Sequence, residues 1–511
     1  MMPSFPWWVG YTCYAGAMAG VGTLINSHVK EPYMDEIFHV PQAQAYCAGR
    51  WDKWDGAITT PPGPYLLPAV LSHGRHLALS YSPSLLRDWY PCALPNLRSY
   101  NLLLGLSLPF LYRSLLDIIQ HSSPTQRCTS PGSMFTREKE KTGGDWEALV
   151  IALNPLVGWW AWLFYTDLGS LVLVLLAWKE ALKGRWATSA VLGSLSLWFR
   201  QTNIVWLAFI AGQGAVGALK RRNPGGVYDP MLAHAPSTSL LRAPLSLLSV
   251  LLRHPLSLTP FVGAYLPVFG AAAAFVRWNG GIVLGDKQNH EPVLHVPQLY
   301  YFASFAAVLC TPVLLGGVGF EGCLRATAGL VRTPRRTLGS LVSLIATCWT
   351  IRHYTIAHPF LLADNRHYAF YLWRRVINVT PLERYALAPV YLVAGRLLSA
   401  GIAQARLATV STAILFLLST IAVLVPTPLL EPRYFLIPLV ILRLYLSPPS
   451  STPRRRLFLA LEAASYLVMQ GVCVYLFLEK TFVWDVKVGE DGKGLEGRDE
   501  REVGRVQRFM W

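Results

Sequence analysis

Long apolar stretches, separated by shorter polar connections, follow one another along most of this chain. Each of them approaches the roughly 20 mostly apolar residues that a transmembrane helix needs. The candidate spans lie near residues 6–26, 97–118, 147–165, 168–182, 186–201, 203–219, 257–277, 299–317, 338–356, 382–400, 408–427, 433–447 and 457–478. The pattern predicts an all-α polytopic membrane protein with about 13 transmembrane helices, and 367–381 is either one more span or an interfacial helix.

The longest polar connection on one side of the predicted membrane covers residues 28–96. It contains two helix-like pieces, near 35–48 and 64–80. The stretch RWDKWDGAITTPPGP between them is rich in proline and glycine, which indicates a turn-rich path. We therefore expect a long first loop outside the membrane that contains short amphipathic helices.

The remaining polar regions set the expected domain organisation. Residues 1–480 are predicted to form a single transmembrane domain. The connections 119–145 and 220–256 are interpreted as linkers; the first is polar and flexible, and the second, with alternating proline and leucine, is expected to lie along the membrane surface. The tail 481–511 is charged and rich in glycine, and it is expected to be disordered.

Composition agrees with a membrane protein and gives the chain a sidedness. The sequence is 53% hydrophobic and 14% charged, whereas soluble domains carry roughly 25% charged residues. The net charge of +16 comes largely from basic clusters in short connections, and such loops face the cytosol. This explanation leaves nucleic-acid binding little weight. The clusters are Arg137/Lys139/Lys141, Lys183/Arg185, Lys220–Arg222, Arg332/Arg335/Arg336 and Arg454–Arg456.

Unusual polar side chains gather on the opposite, non-cytosolic face. They lie at or near the ends of predicted spans, where a charge at membrane depth costs about 2.5–3.5 kcal/mol on insertion scales. Several such groups on one face argue for one functional site. The groups are Asp35/Glu36/His39, Asp167, Arg200/Gln201, Asp286/Lys287/Asn289, Asp364/Asn365/Arg366/His367 and Glu431/Arg433.

This set of side chains suits group transfer from a lipid-linked phosphate. Residues 35, 39 and 42 share a helix face, which presents a carboxylate, an imidazole and an amide together. Arginine forks bind phosphate oxygens bidentately, so Arg366 or Arg433 suits a lipid phosphate at the membrane surface. A carboxylate acts as general base on a hydroxyl, and a phosphate leaving group needs no general acid.

Structural alternatives stay open for several of these residues. Glu36 is equally a solvated loop residue, and His39 is equally a helix-packing histidine. Arg200 is also interpretable as an arginine that snorkels to the interface, and Asp286–Lys287 as a surface pair worth well under about 1 kcal/mol. The tryptophans are mostly typical of interfacial belts, although Trp54 and Trp278 lie in loops where a sugar platform is expected.

Cysteine and metal motifs add little to this interpretation. None of the eight cysteines has a CxxC or metal-ligand spacing, and the sequence has no HExxH or DxD motif. We therefore expect no metal and no cofactor. Cys47 and Cys92 share the 28–96 loop and are able to pair if that compartment is oxidising.

Seven strings in the chain resemble, in the same order, a known family of membrane glycosyltransferases. EPYMDEIFHVPQAQAYC followed by WDKWDGAITTPPGPYLL, then FYTDLGS, FRQTNIVW, WNGGIVLGDKQNH, HPFLLADNRHY and LLEPRYFLIPL span residues 31 to about 440. They resemble the dolichyl-phosphate-glucose-dependent α-1,2-glucosyltransferases of the endoplasmic reticulum. The linkers 119–145 and 220–256 look like variable insertions in that family.

The resemblance implies a fold, a reaction and a location. The fold is a GT-C type helical bundle in the endoplasmic reticulum membrane, with its active site at the luminal face. The implied reaction moves glucose from dolichyl-phosphate glucose to the terminal glucose of Glc2Man9GlcNAc2-diphosphodolichol, forming an α-1,2 bond with inversion. That is the last step of lipid-linked oligosaccharide assembly for N-glycosylation. Its partners are these two lipids and the bilayer, with no nucleic acid and no obligate protein partner implied.

The same resemblance, added to the residue chemistry, suggests individual roles. Asp35 matches the general base by position, and Glu36 and His39 are expected to orient it or hold the acceptor. Donor-phosphate binding is assigned to Arg366 and Arg433, with Lys287 and His367 in reserve. Sugar or acceptor contacts are assigned to Asp286, Asn289, Asp364, Asn365, Asp167, Arg200, Gln201, Trp54 and Trp278.

Two rival classes remain open at this stage. One is another GT-C enzyme that uses a dolichyl-phosphate sugar for a mannosyl or different glucosyl step, and donor choice discriminates it. The other is a non-enzymatic multi-span transporter or regulator. A transporter is expected to carry its ionisable residues near the bilayer midplane, whereas here they lie at span ends.

Overall fold

The computed structural model describes residues 6–79, 89–121, 144–223, 225–380, 382–449, 451–484 and 504–511. Over these residues the chain is almost entirely helical, and residue contacts divide it into two compact units within the predicted single domain. The first unit holds Leu240–Glu291 and the described residues before Pro230; the second holds Pro230–Ser239 and Pro292–Trp511. The predicted linker and tail residues 122–143 and 485–503 lie outside the described residues.

Among the described residues, the first part of the chain contains eleven α-helices. Most begin after a proline, a polar residue or a turn, as the breaks in the apolar pattern predict. They are α1 (Trp7–His28), α2 (Glu36–Cys47), α3 (Gly63–Leu79), α4 (Leu94–His121), α5 (144–152), α6 (Pro155–Ala161), α7 (Asp167–Leu182), α8 (Trp186–Leu197), α9 (Asn203–Arg222), α10 (Ser239–Arg253) and α11 (Thr259–Asn279).

The second unit contains further helices and a two-stranded antiparallel sheet. The helices are α12 (Gln298–Leu309), α13 (Thr311–Gly317), α14 (Phe320–Ala328), α15 (Pro334–Tyr354), α16 (Pro359–Ala363), α17 (Tyr368–Leu372), α18 (Glu383–Ala386), α19 (Ala388–Ala405), α20 (Val410–Leu424), α21 (Leu436–Leu444) and α22 (Thr452–Glu479). A π-helical turn, Trp373–Ile377, follows α17, and strands β1 (Phe482–Val483) and β2 (Val506–Gln507) pair with each other.

The helical membrane protein that the sequence predicts is confirmed. Among the described helices, five are long and apolar enough to cross a membrane, or six if α12 and α13, which are bent by 69°, form one span. The count of about 13 spans stays a prediction. The candidate span 147–165 is not one helix, because Asn154 caps a new helix that starts at Pro155, and 367–381 is too short for a span.

The first polar connection, 28–96, folds into the two helices that the sequence predicts, α2 and α3. They pack on a small buried core that includes Val40, Tyr65 and Ala69, together with Leu97 of α4. A disulfide joins Cys47, the last residue of α2, to Cys92. The loop is thus a packed element with its own core.

The expectation of a disordered tail is wrong for residues 504–511. These residues pair as β2 with β1, and Met510 and Gln507 are buried. Composition gives local propensity only, and this segment is ordered by partners more than a hundred residues away in the sequence. The predicted surface linker 220–256 is partly helical as well, since it contains α10.

Candidate active site

Asp35 lies on a tight turn that opens α2. Met34, the residue before it, has a φ of 54°, a left-handed conformation that a bulky side chain rarely adopts. The backbone N–H of Asp35 donates to the Tyr165 hydroxyl at 3.1 Å. The carboxylate is half-buried, so it is held at a strained turn and remains accessible in part.

Glu36 is not the solvated or substrate-facing residue that the sequence allowed. Its side chain is 0% exposed, and Arg98 of α4 binds it bidentately, with Nε at 2.9 Å from Oε1 and Nη2 at 2.6 Å from Oε2. The backbone N–H groups of Tyr33 and Phe164 also donate to this carboxylate. Of the two roles expected for Glu36, these contacts favour orienting Asp35 over holding the acceptor.

Arg98 ties together the segments around Asp35. Its remaining N–H groups donate to the Asn26 side chain and to the backbone carbonyls of Val29 and Glu31. All five donors of the guanidinium are thereby engaged, and the residue is 2% exposed. The end of α1, the Asp35 turn, α4 and the segment at Phe164 are joined at one buried ion pair.

His39 lies one turn further along α2, on the Asp35 side. Its Nδ1 is 2.6 Å from the hydroxyl of Tyr65 in α3. Burial raises the pKa of Tyr65 well above its usual value, and the nearby Tyr46, Asp35 and Asp55 add to the effect, so the phenol stays protonated. The Trp54 and Tyr65 rings meet edge to face, with their centroids 6.4 Å apart. Trp54, the predicted sugar platform, therefore lies beside the His39–Tyr65 pair.

Asp167 and Arg200, predicted separately, form an ion pair. Arg200 Nη2 is 3.2 Å from Asp167 Oδ1, and both side chains are largely buried. Arg200 Nε also donates to Thr166, which directly follows Tyr165, the partner of the Asp35 backbone. The snorkelling alternative for Arg200 is therefore excluded, because its guanidinium faces a buried carboxylate.

The connection after α11 docks on the WDGAITT turn of the first loop. The N–H groups of Leu284 and Asp286 donate to the carbonyls of Thr59 and Gly56, and Gln201 Nε2 donates to Thr59 at 2.8 Å. Gly285 lies so close to these carbonyls that an added Cβ would stand 2.3 Å from Gly56 O. The structure thus brings together three of the predicted polar groups within the first unit.

The charged residues of that connection mostly bond with one another. Asn289 donates to Asp286 Oδ1 at 2.8 Å, and Lys287 donates to the carbonyl of Asn279. These bonds shape the loop, and Lys287 bonds to a backbone carbonyl here and not to Asp286 as the surface-pair alternative supposed. Trp278, at the end of α11, is 79% exposed and contacts Phe275 at 6.1 Å.

In the second unit, the predicted group at 364–367 is an ion-pair network. Arg366 binds Asp364 bidentately, with Nε at 2.8 Å from Oδ1 and Nη2 at 2.7 Å from Oδ2. Burial raises the pKa of Asp364, but hydrogen bonds from Arg366 and the charges of His367 and Arg366 outweigh it and hold the pKa below its usual range. Asn365 and His367 are half-buried beside this pair.

Arg433 pairs with its near neighbour Glu431. Its guanidinium also lies over the Tyr434 ring, 5.5 Å from the centroid. Glu431 is buried, and Arg433 retains some exposure. Of the two predicted phosphate-binding arginines, Arg433 is therefore the more accessible and Arg366 the more buried.

Sequence reasoning missed several residues that organise these clusters. Arg98, Tyr65 and Tyr165 are single residues inside apolar helices or between them, and Gln507 lies in the tail. Only Arg98 carries a sequence signal, since an arginine inside a predicted span is expensive unless it is paired. Among the described residues, no group of three or more His, Cys, Asp or Glu side chains is arranged to hold a metal ion.

Comparison with known proteins identifies the family. The sequence profile of the DIE2/ALG10 family matches residues 29–444. Relatives named Dol-P-Glc:Glc(2)Man(9)GlcNAc(2)-PP-Dol alpha-1,2-glucosyltransferase include those of Mus musculus (35% identical over 497 residues, 94% of each chain), Rattus norvegicus (34% over 497 residues, 94% of each chain) and Arabidopsis thaliana (32% over 533 residues, 96% of each chain). No solved structure matches this chain. With the profile covering most of the sequence, this chain belongs to the DIE2/ALG10 family.

Proposed function

We propose that this chain is an α-1,2-glucosyltransferase. It transfers glucose from dolichyl-phosphate glucose to the terminal glucose of Glc2Man9GlcNAc2-diphosphodolichol. The observation that carries the proposal is the match to relatives of that printed name over 94% of both chains. The cluster around Asp35 supports it, because a half-buried carboxylate held at a strained turn suits a base acting on a bound hydroxyl.

The reaction requires one bond to form and one to break. The acceptor 2-hydroxyl attacks C1 of the donor glucose, the C1–O bond to phosphate breaks, and dolichyl phosphate leaves as the anion. Asp35 takes the proton of the 2-hydroxyl. A β-linked donor then gives an α product in one in-line displacement, with no covalent enzyme intermediate.

Neighbouring side chains in the first unit have supporting roles. His39 and Trp54, which both contact Tyr65, contribute an imidazole and an aromatic face for the acceptor sugar. The Asp167–Arg200 pair holds the segment whose Tyr165 hydroxyl accepts from the Asp35 backbone. Gln201 holds the Thr59 turn and has a positioning role.

For the donor phosphate we retain Arg433, because a partly exposed guanidinium is able to exchange Glu431 for phosphate oxygens. Lys287 and His367 stay in reserve. Arg366 is a positioning residue, since it is 6% exposed and bound to Asp364 through two nitrogens. We propose that no metal takes part, because neutralisation of the leaving phosphate by cationic side chains is sufficient.

The finer architecture also belongs to this proposal. We assign the chain a GT-C type bundle of about 13 spans in the endoplasmic reticulum membrane, with Asp35 on the luminal side. The Cys47–Cys92 disulfide supports this side for the 28–96 loop, because disulfides persist in oxidising compartments such as that lumen.

The test is a transfer assay with purified full-length protein. Dolichyl-phosphate glucose and a diglucosylated lipid-linked oligosaccharide are supplied, and the gain of one hexose is followed by mass. Asp35→Asn should abolish turnover while the protein remains folded. The matched control is Asp52→Asn in the same loop, whose side chain is 77% exposed and which should keep normal turnover.

Each outcome decides between the candidate functions. Normal turnover in Asp35→Asn refutes the base assignment. Transfer from dolichyl-phosphate mannose instead of the glucose donor keeps the enzyme class and overturns the substrate. Folded protein that is inactive with every donor moves the chain to the non-enzymatic class.

A further inference from the structure

The segment Asp364–Tyr368 is clasped by residues that lie far away in the sequence. The backbone of Met510 donates to the carbonyl of Arg366 at 2.9 Å, and Tyr368 N–H donates to the carbonyl of Met510 at 2.9 Å. Met510 is 0% exposed. Residues 504–511, together with Trp484, are called the clasp below.

The clasp reaches the Asp364–Arg366 ion pair through two side chains. Arg366 Nη1 donates to Gln507 Oε1 at 3.0 Å, and the guanidinium lies over the Trp484 ring, 4.6 Å from its centroid. Gln507 is 1% exposed. A buried acceptor and an aromatic face therefore add to the coordination of the Arg366 cation, whose other edge is bound by Asp364.

Asn365 and His367, on either side of Arg366, are oriented by the same clasp. Trp484 Nε1 donates to Asn365 Oδ1 at 3.0 Å, which turns the amide NH2 of Asn365 away from the indole. His367 Nδ1 is 2.7 Å from the carbonyl of Trp511. A carbonyl only accepts, so Nδ1 carries a proton and donates to it, and Nε2 lies 3.9 Å from Asp364 Oδ2.

We propose that the clasp positions Asn365 and His367 to contact the donor substrate, with Gln507 as a positioning residue that acts through Arg366 and Trp484 as one that acts through its bond to Asn365. This rests on the proposed function, in which His367 stays in reserve for the dolichyl-phosphate glucose donor, and it adds Asn365 to that donor contact. The clasp holds both half-buried polar side chains in one orientation before the donor binds. Preorganisation of this kind raises affinity by removing the ordering cost at binding.

The experiment compares donor and acceptor kinetics in substituted full-length protein. Gln507→Leu should raise the KM for dolichyl-phosphate glucose about tenfold, the loss expected for one hydrogen bond to a charged group. The kcat and the KM for the diglucosylated acceptor should change less than about twofold by the same reasoning. Gln507→Glu keeps an oxygen for Arg366 and should restore the donor KM.

Trp484 gives a second, independent readout. Trp484→Phe keeps a ring under Arg366 but removes the indole N–H, so it frees Asn365 alone and should raise the donor KM. The control is Val506→Thr, next to Gln507 on β2 with a side chain that faces outward; it should match the wild type. Thermal unfolding midpoints show whether each variant is folded.

The outcomes separate this inference from the proposed function. Suppose that the wild type is active and Gln507→Leu is folded. An unchanged donor KM in this variant, or a fall of its kcat with no change in KM, then overturns the role of the clasp alone. If Gln507→Leu does not fold, a normal donor KM in Trp484→Phe overturns it. Wild type that transfers no glucose from dolichyl-phosphate glucose overturns both.

Discussion

Replacing Arg98 with methionine should damage stability and turnover together. Methionine keeps much of the length of arginine and removes the charge, so it leaves the Glu36 carboxyl group at 0% exposure without its cation and with the Tyr33 and Phe164 N–H groups as donors. Removing one partner of a buried ion pair costs about 3–5 kcal/mol. The loss should lie in this range because Arg98 and Glu36 meet through two hydrogen bonds.

A double-mutant cycle with Glu36→Leu separates the pair from its surroundings. Arg98→Met/Glu36→Leu removes both charges, so part of the loss should return. Recovery should be incomplete, because the Tyr33 and Phe164 N–H groups then lack their acceptor and each unsatisfied buried group costs about 1–3 kcal/mol. The free energy of unfolding, measured by denaturant titration in detergent, gives the coupling energy.

The kinetic part of this prediction concerns Asp35. Once Arg98 is removed, the turn at Met34 loses its anchor and the carboxylate next to it shifts; a displacement of about 1 Å is able to lower kcat about 100-fold. Turnover of folded Arg98→Met should therefore fall while the KM for donor remains near normal. A stability loss under about 1 kcal/mol together with unchanged kcat would refute the reasoning.

Four further outcomes follow from the structure. Burial lowers the pKa of His295 from 6.5 to about 4, against the opposing effect of hydrogen bonds with the Pro428 and Thr427 backbone. The unfolded chain therefore takes up a proton at this histidine first as the pH falls, and stability should decline from pH 6.5 towards about 4. His295→Gln should remove this pH dependence of the thermal unfolding midpoint. Arg443→Met should cost about 3–5 kcal/mol, because Arg443 binds the buried Glu462 through two nitrogens, and Arg443→Met/Glu462→Met should recover part of it in the same denaturant titration. Replacing Cys47 and Cys92 together with serine should lower the free energy of unfolding by about 2–4 kcal/mol; equal stability under non-reducing conditions would contradict the disulfide. Incubation with EDTA should leave glucose transfer unchanged, and a loss of rate that added Mg²⁺ or Mn²⁺ restores would refute the metal-free proposal.

The sequence predicted those features that depend on local pattern. The helical pieces near 35–48 and 64–80 appear as α2 and α3, because apolar periodicity and a proline-rich turn specify them within a short window. Gln201 and the Asp286 segment, which belong to two of the predicted polar groups, both bond to the 56–59 turn; the convergence of all six groups on one site stays a prediction.

The features that sequence reasoning missed depend on partners that are distant in the sequence. Glu36 was expected either to act beside Asp35 or to be a solvated loop residue, and its burial against Arg98 was missed because Arg98 lies 62 residues away. The tail looked disordered because its composition is polar, yet residues 504–511 gain their order from backbone and side-chain bonds to 366–368. Propensity and composition carry no information about such pairings, so both errors arise from tertiary contacts.

The contrast between Asp35 and Glu36 shows why neighbouring carboxylates have different uses here. Glu36 accepts from Arg98 and from two backbone N–H groups, so its lone pairs are directed at fixed donors inside the protein. A general base must present an oxygen to the substrate hydroxyl within about 2.6–3.2 Å, and a carboxylate at 0% exposure cannot do so. Asp35, one residue earlier and half-buried, is positioned by the same contacts and is able to face a substrate.

Exchange of the two roles would require Arg98 to leave Glu36, which the stability loss expected for Arg98→Met makes unfavourable. Glu36→Gln should therefore lower stability more than Asp35→Asn does, while Asp35→Asn abolishes turnover; the opposite order in the two assays would assign the base to Glu36.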